Sequence, residues 1–176
     1  MIELDMNLSE QIQLSFQADD SDANLRKWAR FISENDVNLK DLLCLLDKDR
    51  FTAMRFLWLT GGLVEFDPGR VAPVVPYFFA KQHNVNVPNY DRSLAKFCWL
   101  AGIPEELEGE ITDALFQWIL DPNITTSTKS FAVLALYNQT QKYPDLKNEL
   151  RMVIEDQLEK NGSSFEKRAG KVLGKL

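Results

Sequence analysis

The chain has 176 residues, of which 45% are hydrophobic, and its formal net charge is −6. This length is enough for one domain that buries roughly 70% of its unfolded surface. The acidic balance disfavours general binding to nucleic-acid backbones or to anionic membranes, because like charges repel. No apolar run approaches the ~20 residues that a membrane-spanning helix needs.

The start of the chain, MIELDMNLSEQ, is acidic. It lacks the basic and then apolar pattern of a secretory signal peptide. The two cysteines, Cys44 and Cys98, lie inside apolar runs that are far apart in the sequence. We interpret both as reduced thiols of the protein core, as is usual in the cytosol. These features predict a cytoplasmic location.

Residues 1–20 have a pattern that fits more than one structure. Apolar and polar residues alternate from Ile2 to Leu8, which favours two short strands or an extended arm. Leu8, Ile12 and Phe16 also fit one face of a helix. We expect an N-terminal arm over residues 1–20, followed by a single helical domain over residues 21–176.

Helical periodicity starts after Asp22. Two stripes of apolar residues at helical spacing predict a first pair of helices; they are Leu25, Trp28, Ala29 and Ile32, and then Leu39, Leu42, Leu43 and Leu46. A third helix is predicted to start near Asp47 or Asp49 and to stop at Gly61 and Gly62, because glycine commonly ends helices.

Prolines interrupt the next segment. Asp67 and Pro68 suit a helix cap and a first-turn proline. Pro73 and Pro76 conflict with one long helix, so we expect the regular part to begin near Ala72, or a kink. A polar loop from His83 to Asn89 precedes a predicted helix over residues 90–101, which Gly102 ends.

The C-terminal part predicts helices on both sides of Pro144. The first carries the apolar run FAVLALY, which indicates packing on several sides. The second places Leu146, Leu150 and Ile154 on one stripe. A last helix is predicted from Ser163, with Glu166 completing a capping box.

A basic residue followed three positions later by alanine recurs along the chain. The pairs are Arg26 and Ala29, Arg50 and Ala53, Arg92 and Ala95, and Lys129 and Ala132. Such recurrence is typical of α-solenoids, although its irregular spacing keeps a non-repetitive helical bundle as an alternative. We predict an all-α fold: a short right-handed α–α superhelix, HEAT/ARM-like, of about four helical hairpins plus a C-terminal helix.

Several segments resemble small bacterial HEAT-like helical-repeat proteins. They are FQWILDP, KSFAVLALYN, PDLKNEL and SSFEKRAGKVLGKL, and the resemblance covers about residues 22–176. It implies stacked helices and no settled activity. Some members carry the name adenylosuccinate lyase, yet that lyase family depends on several histidines and this chain has one. A more distant likeness is to the helical-repeat glycosylases of DNA-alkylation repair, which use a basic groove with aromatic residues.

Motifs for catalysis are missing from the sequence. With His83 as the one histidine, HExxH and paired-histidine metal sites are excluded. The chain contains no GxSxG, GxxxxGK[ST] or GxGxxG motif. His83 lies in a polar loop, so we expect an exposed imidazole. We predict no catalytic residue, no cofactor and no metal site.

Four residues are predicted to bind a partner: Arg55, Arg92, Trp99 and Lys129. A wider set of basic residues could line an anion-binding or acidic-peptide-binding groove, or form salt bridges and carbonyl caps between repeats; they are Arg26, Arg50, Arg55, Arg92, Lys129 and Arg168. The tryptophan is either core or a peptide anchor.

These residues predict a non-enzymatic scaffold that binds a protein or peptide. The alternatives are a nucleic-acid-binding or DNA-glycosylase-like helical-repeat protein, a lyase-named protein without a complete active site of its own, and a subunit that its partner completes. We expect no membrane association.

Charge is unevenly spread between the two ends. Residues 1–23 contain six acidic residues and no basic one, whereas residues 160–176 contain five basic residues and one acidic. The pattern suits a solvated tail and a cation-rich last helix. The functional alternative is weak, salt-sensitive self-association through head-to-tail contact.

Overall fold

The structure is a computed structural model that describes residues 6–176, and every regular element in that range is helical. The predicted all-α class is therefore confirmed. The chain divides into two compact units, Met1–Tyr90 and Asp91–Leu176. Within residues 6–176, no helix combines the length and the apolar character needed to cross a bilayer.

The first unit contains five α-helices and two 3₁₀ helices within its described residues. They are α1 (Leu8–Ala18), α2 (Asp22–Glu34), a 3₁₀ helix (Leu39–Asp47), α3 (Arg50–Leu63), α4 (Pro68–Val71), a 3₁₀ helix (Ala72–Val74) and α5 (Val75–Lys81).

A helix replaces the strands that the alternating pattern favoured near the N-terminus. Asn7 and Glu10 form a capping box, each side chain accepting a hydrogen bond from the backbone N–H of the other. Ile12 and Phe16 are fully buried on the inner face of α1. The helical alternative is thus the correct one over residues 8–18, and the part of the prediction that concerns residues 1–5 lies outside the described residues.

The segment from Leu39 to Asp47 is a 3₁₀ helix rather than the expected α-helix. With three residues per turn, positions i, i+3 and i+6 share one face. Leu39, Leu42 and Leu45 accordingly point inward and are at most 1% exposed. Cys44 falls on the outer face and is exposed, so its predicted place in the core was wrong.

The predicted stop at Gly61 and Gly62 was also wrong, because α3 continues through both glycines to Leu63. Each glycine costs a helix about 1 kcal/mol relative to alanine. Leu59 and Leu63 are fully buried on either side of them, and burial of a leucine contributes about 2 kcal/mol. Packing therefore outweighs propensity at this end of α3.

Prolines break the next helical segment, as expected. Pro68 is the first residue of α4, and Asp67 precedes it. The chain then passes through the short 3₁₀ helix that contains Pro73, and Pro76 lies in the first turn of α5. A proline in a first turn removes no intrahelical hydrogen bond.

The second unit is built on five α-helices and one short 3₁₀ helix. They are α6 (Tyr90–Ala101), a 3₁₀ helix (Glu105–Leu107), α7 (Glu108–Leu120), α8 (Thr126–Lys142), α9 (Leu146–Leu158) and α10 (Ser163–Leu173). Tyr90, the first residue of α6, is the last residue of the first unit. Gly102 follows α6 with a φ of 92° and ends it, as predicted.

Helix α8 is the central element of the second unit. It packs against α7, α9 and α10. Its buried apolar residues face several directions, which confirms the packing predicted from the run FAVLALY; they are Phe131, Ala132, Val133, Ala135 and Leu136.

The last helix starts at the predicted residue but without the predicted cap. Gly162 occupies the N-cap position, and no side chain caps the helix. Ser163 is the first helical residue, one position too late to cap it. Phe165, Ala169 and Val172 are buried, as the stripe predicted.

Candidate partner-binding site

Helix α6 presents Arg92 and Trp99 two turns apart, on the same side of the helix. The Trp99 ring stacks on Phe131 of α8, with 5.6 Å between ring centroids and 25° between ring planes. Phe131 is 8% exposed. The other side chains of this site all lie next to the Phe131 ring.

Two guanidinium groups also lie beside the Phe131 ring. The Cζ atom of Arg92 is 5.6 Å from the centroid of the Phe131 ring, and the Cζ atom of Arg168 on α10 is 5.3 Å from it. Both arginines are exposed. We call Arg92, Trp99, Phe131 and Arg168 the Phe131 cluster.

The two positive charges of the Phe131 cluster have no ion-pair partner among residues 6–176. Each cation gains about 0.5–1 kcal/mol from the face of an aromatic ring at an exposed site. Because both groups lie near the same ring, positive charge is concentrated at this site and attracts negatively charged groups.

Hydrogen bonds fix α6 relative to α8 on both sides of the cluster. The Thr128 hydroxyl donates to a carboxylate oxygen of Asp91 at 3.4 Å, near the start of both helices. The Asn138 side-chain amide donates to the carbonyl oxygen of Trp99 at 3.0 Å, near their ends. Trp99 and Phe131 are thereby held in register.

An open depression lies beside the cluster, along α10. Its volume is about 930 Å³, and Arg168 lines it together with Lys167 and Lys171. Glu166 is the one acidic residue in its lining. The basic surface of Arg168 thus continues along the last helix.

Lys129, a predicted binding residue, is buried instead of lying at the cluster. It is 3% exposed, and its ammonium donates to the Oε1 atom of Gln157 on α9 at 3.2 Å. Burial lowers the pKa of Lys129. The Asn161 side chain donates to the same oxygen at 3.1 Å. These contacts support a structural role, and direct contact with a partner stays a prediction.

Arg55 lies in the first unit, where it is 4% exposed. Its Nη2 atom donates to the carbonyl oxygen of Ser21 at 3.1 Å, and its Cζ atom is 5.3 Å from the Trp58 ring. Its Nε atom is buried without a hydrogen-bond partner among residues 6–176. Of the four predicted residues, the structure brings together Arg92 and Trp99.

Phe131 and Arg168 were not among the four predicted binding residues. Phe131 belongs to an apolar run that indicates core, and Arg168 was named only as one of six basic residues that could line a groove. The spacing of Arg92 and Trp99, seven residues apart, is a sequence signal for a shared helix face. No comparable signal connects α10 to α6, because that contact is made through the fold.

Within residues 6–176, no three His, Cys, Asp or Glu side chains are placed together to hold a metal ion. His83 is exposed, as expected. No protein-family model, curated protein or solved structure matches the chain. The chemistry of the Phe131 cluster is therefore what points to a function.

Proposed function

We propose that the protein is a non-enzymatic binding module that holds an acidic segment of a partner protein at the Phe131 cluster. The observation that carries this proposal is the pair of exposed guanidinium groups, Arg92 and Arg168, placed beside one ring without an ion pair within residues 6–176.

The chemistry of the cluster suits carboxylates. A guanidinium group donates two parallel hydrogen bonds to one carboxylate, and such charge-assisted bonds are about twice as strong as neutral ones. Stacking on Phe131 restricts the arginine side chains before binding, so less conformational entropy is lost. Tryptophan and arginine are also the residue types that dominate the energetics of protein interfaces.

The HEAT-like repeat architecture belongs to the same proposal. Within each unit, several side-chain hydrogen bonds join residues 33 to 39 positions apart, close to the length of one helical repeat. In the first unit these pairs are Ser21 and Arg55, Ser33 and Asp67, and Val37 and Arg70. In the second unit they are Asp91 and Thr128, Trp99 and Asn138, and Glu108 and Lys142. Such offsets support stacked copies of one hairpin.

The proposal is tested with the full chain and a fluorescein-labelled peptide of about ten residues that alternates Glu and Ala, an extended length suited to a surface groove. The double variant R92E/R168E is compared with K147E/R151E. The latter changes the net charge by the same amount at two α9 residues that are not members of the Phe131 cluster. Fluorescence anisotropy gives the Kd, and circular dichroism checks that each variant is folded.

We expect R92E/R168E to weaken peptide binding about tenfold or more, and K147E/R151E to change it little. A Gln/Ala peptide of the same length should bind neither the wild-type protein nor either double variant. Equal binding by both variants contradicts the proposal. Tighter binding of oligothymidylate than of the Glu/Ala peptide would instead favour the nucleic-acid-binding alternative.

A further inference from the structure

A second concave surface lies in the first unit, between α1 and α2. This groove has a volume of about 690 Å³. Helix α2 supplies cations and aromatic rings to its lining, namely Arg26, Lys27, Trp28, Arg30 and Phe31, and α1 supplies the polar side chain of Gln11. We call it the α1–α2 groove.

An aromatic pair forms the apolar part of the groove. Trp28 and Phe31 meet edge to face, with 5.5 Å between centroids and 77° between ring planes. Phe31 is 39% exposed, which is high for a phenylalanine. An apolar side chain of a partner could cover it.

A hydrogen-bond network fixes Trp28 before any partner arrives. The indole N–H donates to the Ser15 hydroxyl at 2.7 Å, and that hydroxyl donates to Asn24 at 3.0 Å. The Asn24 amide in turn donates to the backbone carbonyl oxygens of Ser15 and Asp19. Asn24 is 5% exposed, so the network is shielded. A preorganised ring loses little entropy on binding.

The charged part of the groove is positive. Arg26, Lys27 and Arg30 are exposed, and none forms an ion pair with another of residues 6–176. Glu34 is the one acidic residue of the lining. An excess of positive charge here, on a chain whose net charge is −6, complements a negatively charged ligand.

We infer that the α1–α2 groove is a second docking surface, one that takes a partner-protein segment carrying carboxylates beside an apolar side chain. Its lining extends from Ala23 to Glu34 along α2, about 17 Å at the rise of an α-helix. A helix of about three turns, with acidic and apolar residues on one face, has that length and chemistry.

The geometry of Trp28 favours a peptide over a single-stranded nucleic acid. Base stacking needs a free aromatic face. Phe31 already stands against the Trp28 ring, and the Lys27 ammonium is 5.9 Å from its centroid. A base that stacked on the Trp28 ring would compete with these contacts. This inference uses residues of the first unit alone, so it stands independently of the Phe131 cluster.

The test uses the Trp28 indole N–H as a local reporter. The ¹⁵N-labelled full chain is titrated with an amphipathic peptide of about four helical turns built from Glu and Leu. Loss of one indole cross-peak in W28F assigns the Trp28 signal. The variants are R26E/R30E and F31S, with K48E as an exposed charge-reversal control in the same unit.

We expect the Trp28 cross-peak to shift and saturate with the Glu/Leu peptide, and the shift to weaken as salt is added. R26E/R30E should raise the Kd about tenfold or more, F31S should raise it about fivefold, and K48E should leave it unchanged. R92E/R168E should also leave the Trp28 shift unchanged, which separates this groove from the Phe131 cluster.

Three results would overturn the inference. One is the absence of a Trp28 shift at millimolar peptide. Another is an equal shift with a Lys/Leu peptide of the same pattern, because the recognition would not depend on negative charge. The third is a larger shift with oligothymidylate. If R26E/R30E fails to fold, F31S and the Lys/Leu peptide still decide the question.

Discussion

Lys129 and Gln157 join α8 to α9 by a buried hydrogen bond, 3.2 Å from the ammonium nitrogen to the amide oxygen. A lysine that is 3% exposed, with no carboxylate in ion-pair contact among residues 6–176, is held at a cost in solvation.

We expect Lys129→Met to stabilise the protein by about 1 kcal/mol at neutral pH, because methionine fills similar space without a buried charge. Gln157 would keep the hydrogen bond from Asn161. Urea unfolding measures the change, with Lys147→Met as the half-buried control. Glu/Ala peptide binding should be unaffected; a large loss of stability or of binding would show that Lys129 has a different role.

The stability difference between the wild-type protein and K129M should also depend on pH. The folded protein has a lowered Lys129 pKa, whereas the unfolded chain keeps the ordinary value of 10.5. Between these two values the unfolded chain binds more protons, so wild-type stability rises with pH across that window. The advantage of K129M should therefore shrink as the pH approaches 10.5. A constant difference would contradict the lowered pKa.

Glu108 should contribute to stability in acid. Tyr143 donates a hydrogen bond of 2.6 Å to its carboxylate and Lys142 a bond of 2.9 Å, and both hold its pKa below the ordinary 4.5. Stability from this group is present above pH 4.5 and is lost as the pH falls through its folded pKa.

Tyr143→Phe removes the hydrogen bond that contributes most to this pKa shift. We expect the acid-unfolding midpoint, followed by circular dichroism, to move to higher pH in Y143F. E108Q should make the unfolding curve insensitive to the Tyr143 change. If Y143F alters the midpoint equally in the E108Q background, the effect does not pass through Glu108.

The two cysteines should differ in reactivity. Cys98 is 1% exposed, and burial raises its pKa to about 12, whereas Cys44 is exposed. Because the thiolate is the reactive form, a thiol reagent at pH 8 should modify Cys44 quickly and Cys98 only after unfolding. Timed mass spectrometry measures this. C44S should abolish the fast phase and C98S should leave it; two fast thiols would contradict the burial of Cys98.

Because the N-terminal end of the chain is acidic and the C-terminal end is basic, we predict weak head-to-tail self-association. Light scattering at high protein concentration should show a mass above that of a monomer at low salt, and a monomer at high salt. Reversing Lys167 and Lys171, both exposed on α10, should abolish the increase. A monomeric mass at both salt concentrations removes the idea.

Much of the helical pattern could be predicted because each signal is local. Asp49 caps α3, accepting from the backbone N–H of Thr52, and the prolines break the chain where their ring geometry requires. The errors arose where packing decides. Gly61 and Gly62 stay helical because buried leucines flank them. The apolar residues of Leu39–Asp47 repeat every 3.0 residues, and this segment is too short for its sequence to distinguish that period from the 3.6 of an α-helix.

The candidate site was predictable only in part, for the same reason. Arg92 and Trp99 share a face of one helix, so their proximity follows from spacing. Arg168 reaches Phe131 because α10 folds back on α8, which no local pattern encodes. Arg55 and Lys129 were both predicted to bind a partner because they are basic, yet tertiary packing buries both.

The two hydrogen bonds that tie Asp91 to Thr128 and Trp99 to Asn138 have a consequence for how such a chain could lengthen. They require α6 and α8 to point the same way, with like positions facing each other. Under the repeat architecture proposed above, a tandem copy of residues 90–142 would carry both pairs of bonding residues with it, so the new helices could be joined by the same two hydrogen bonds.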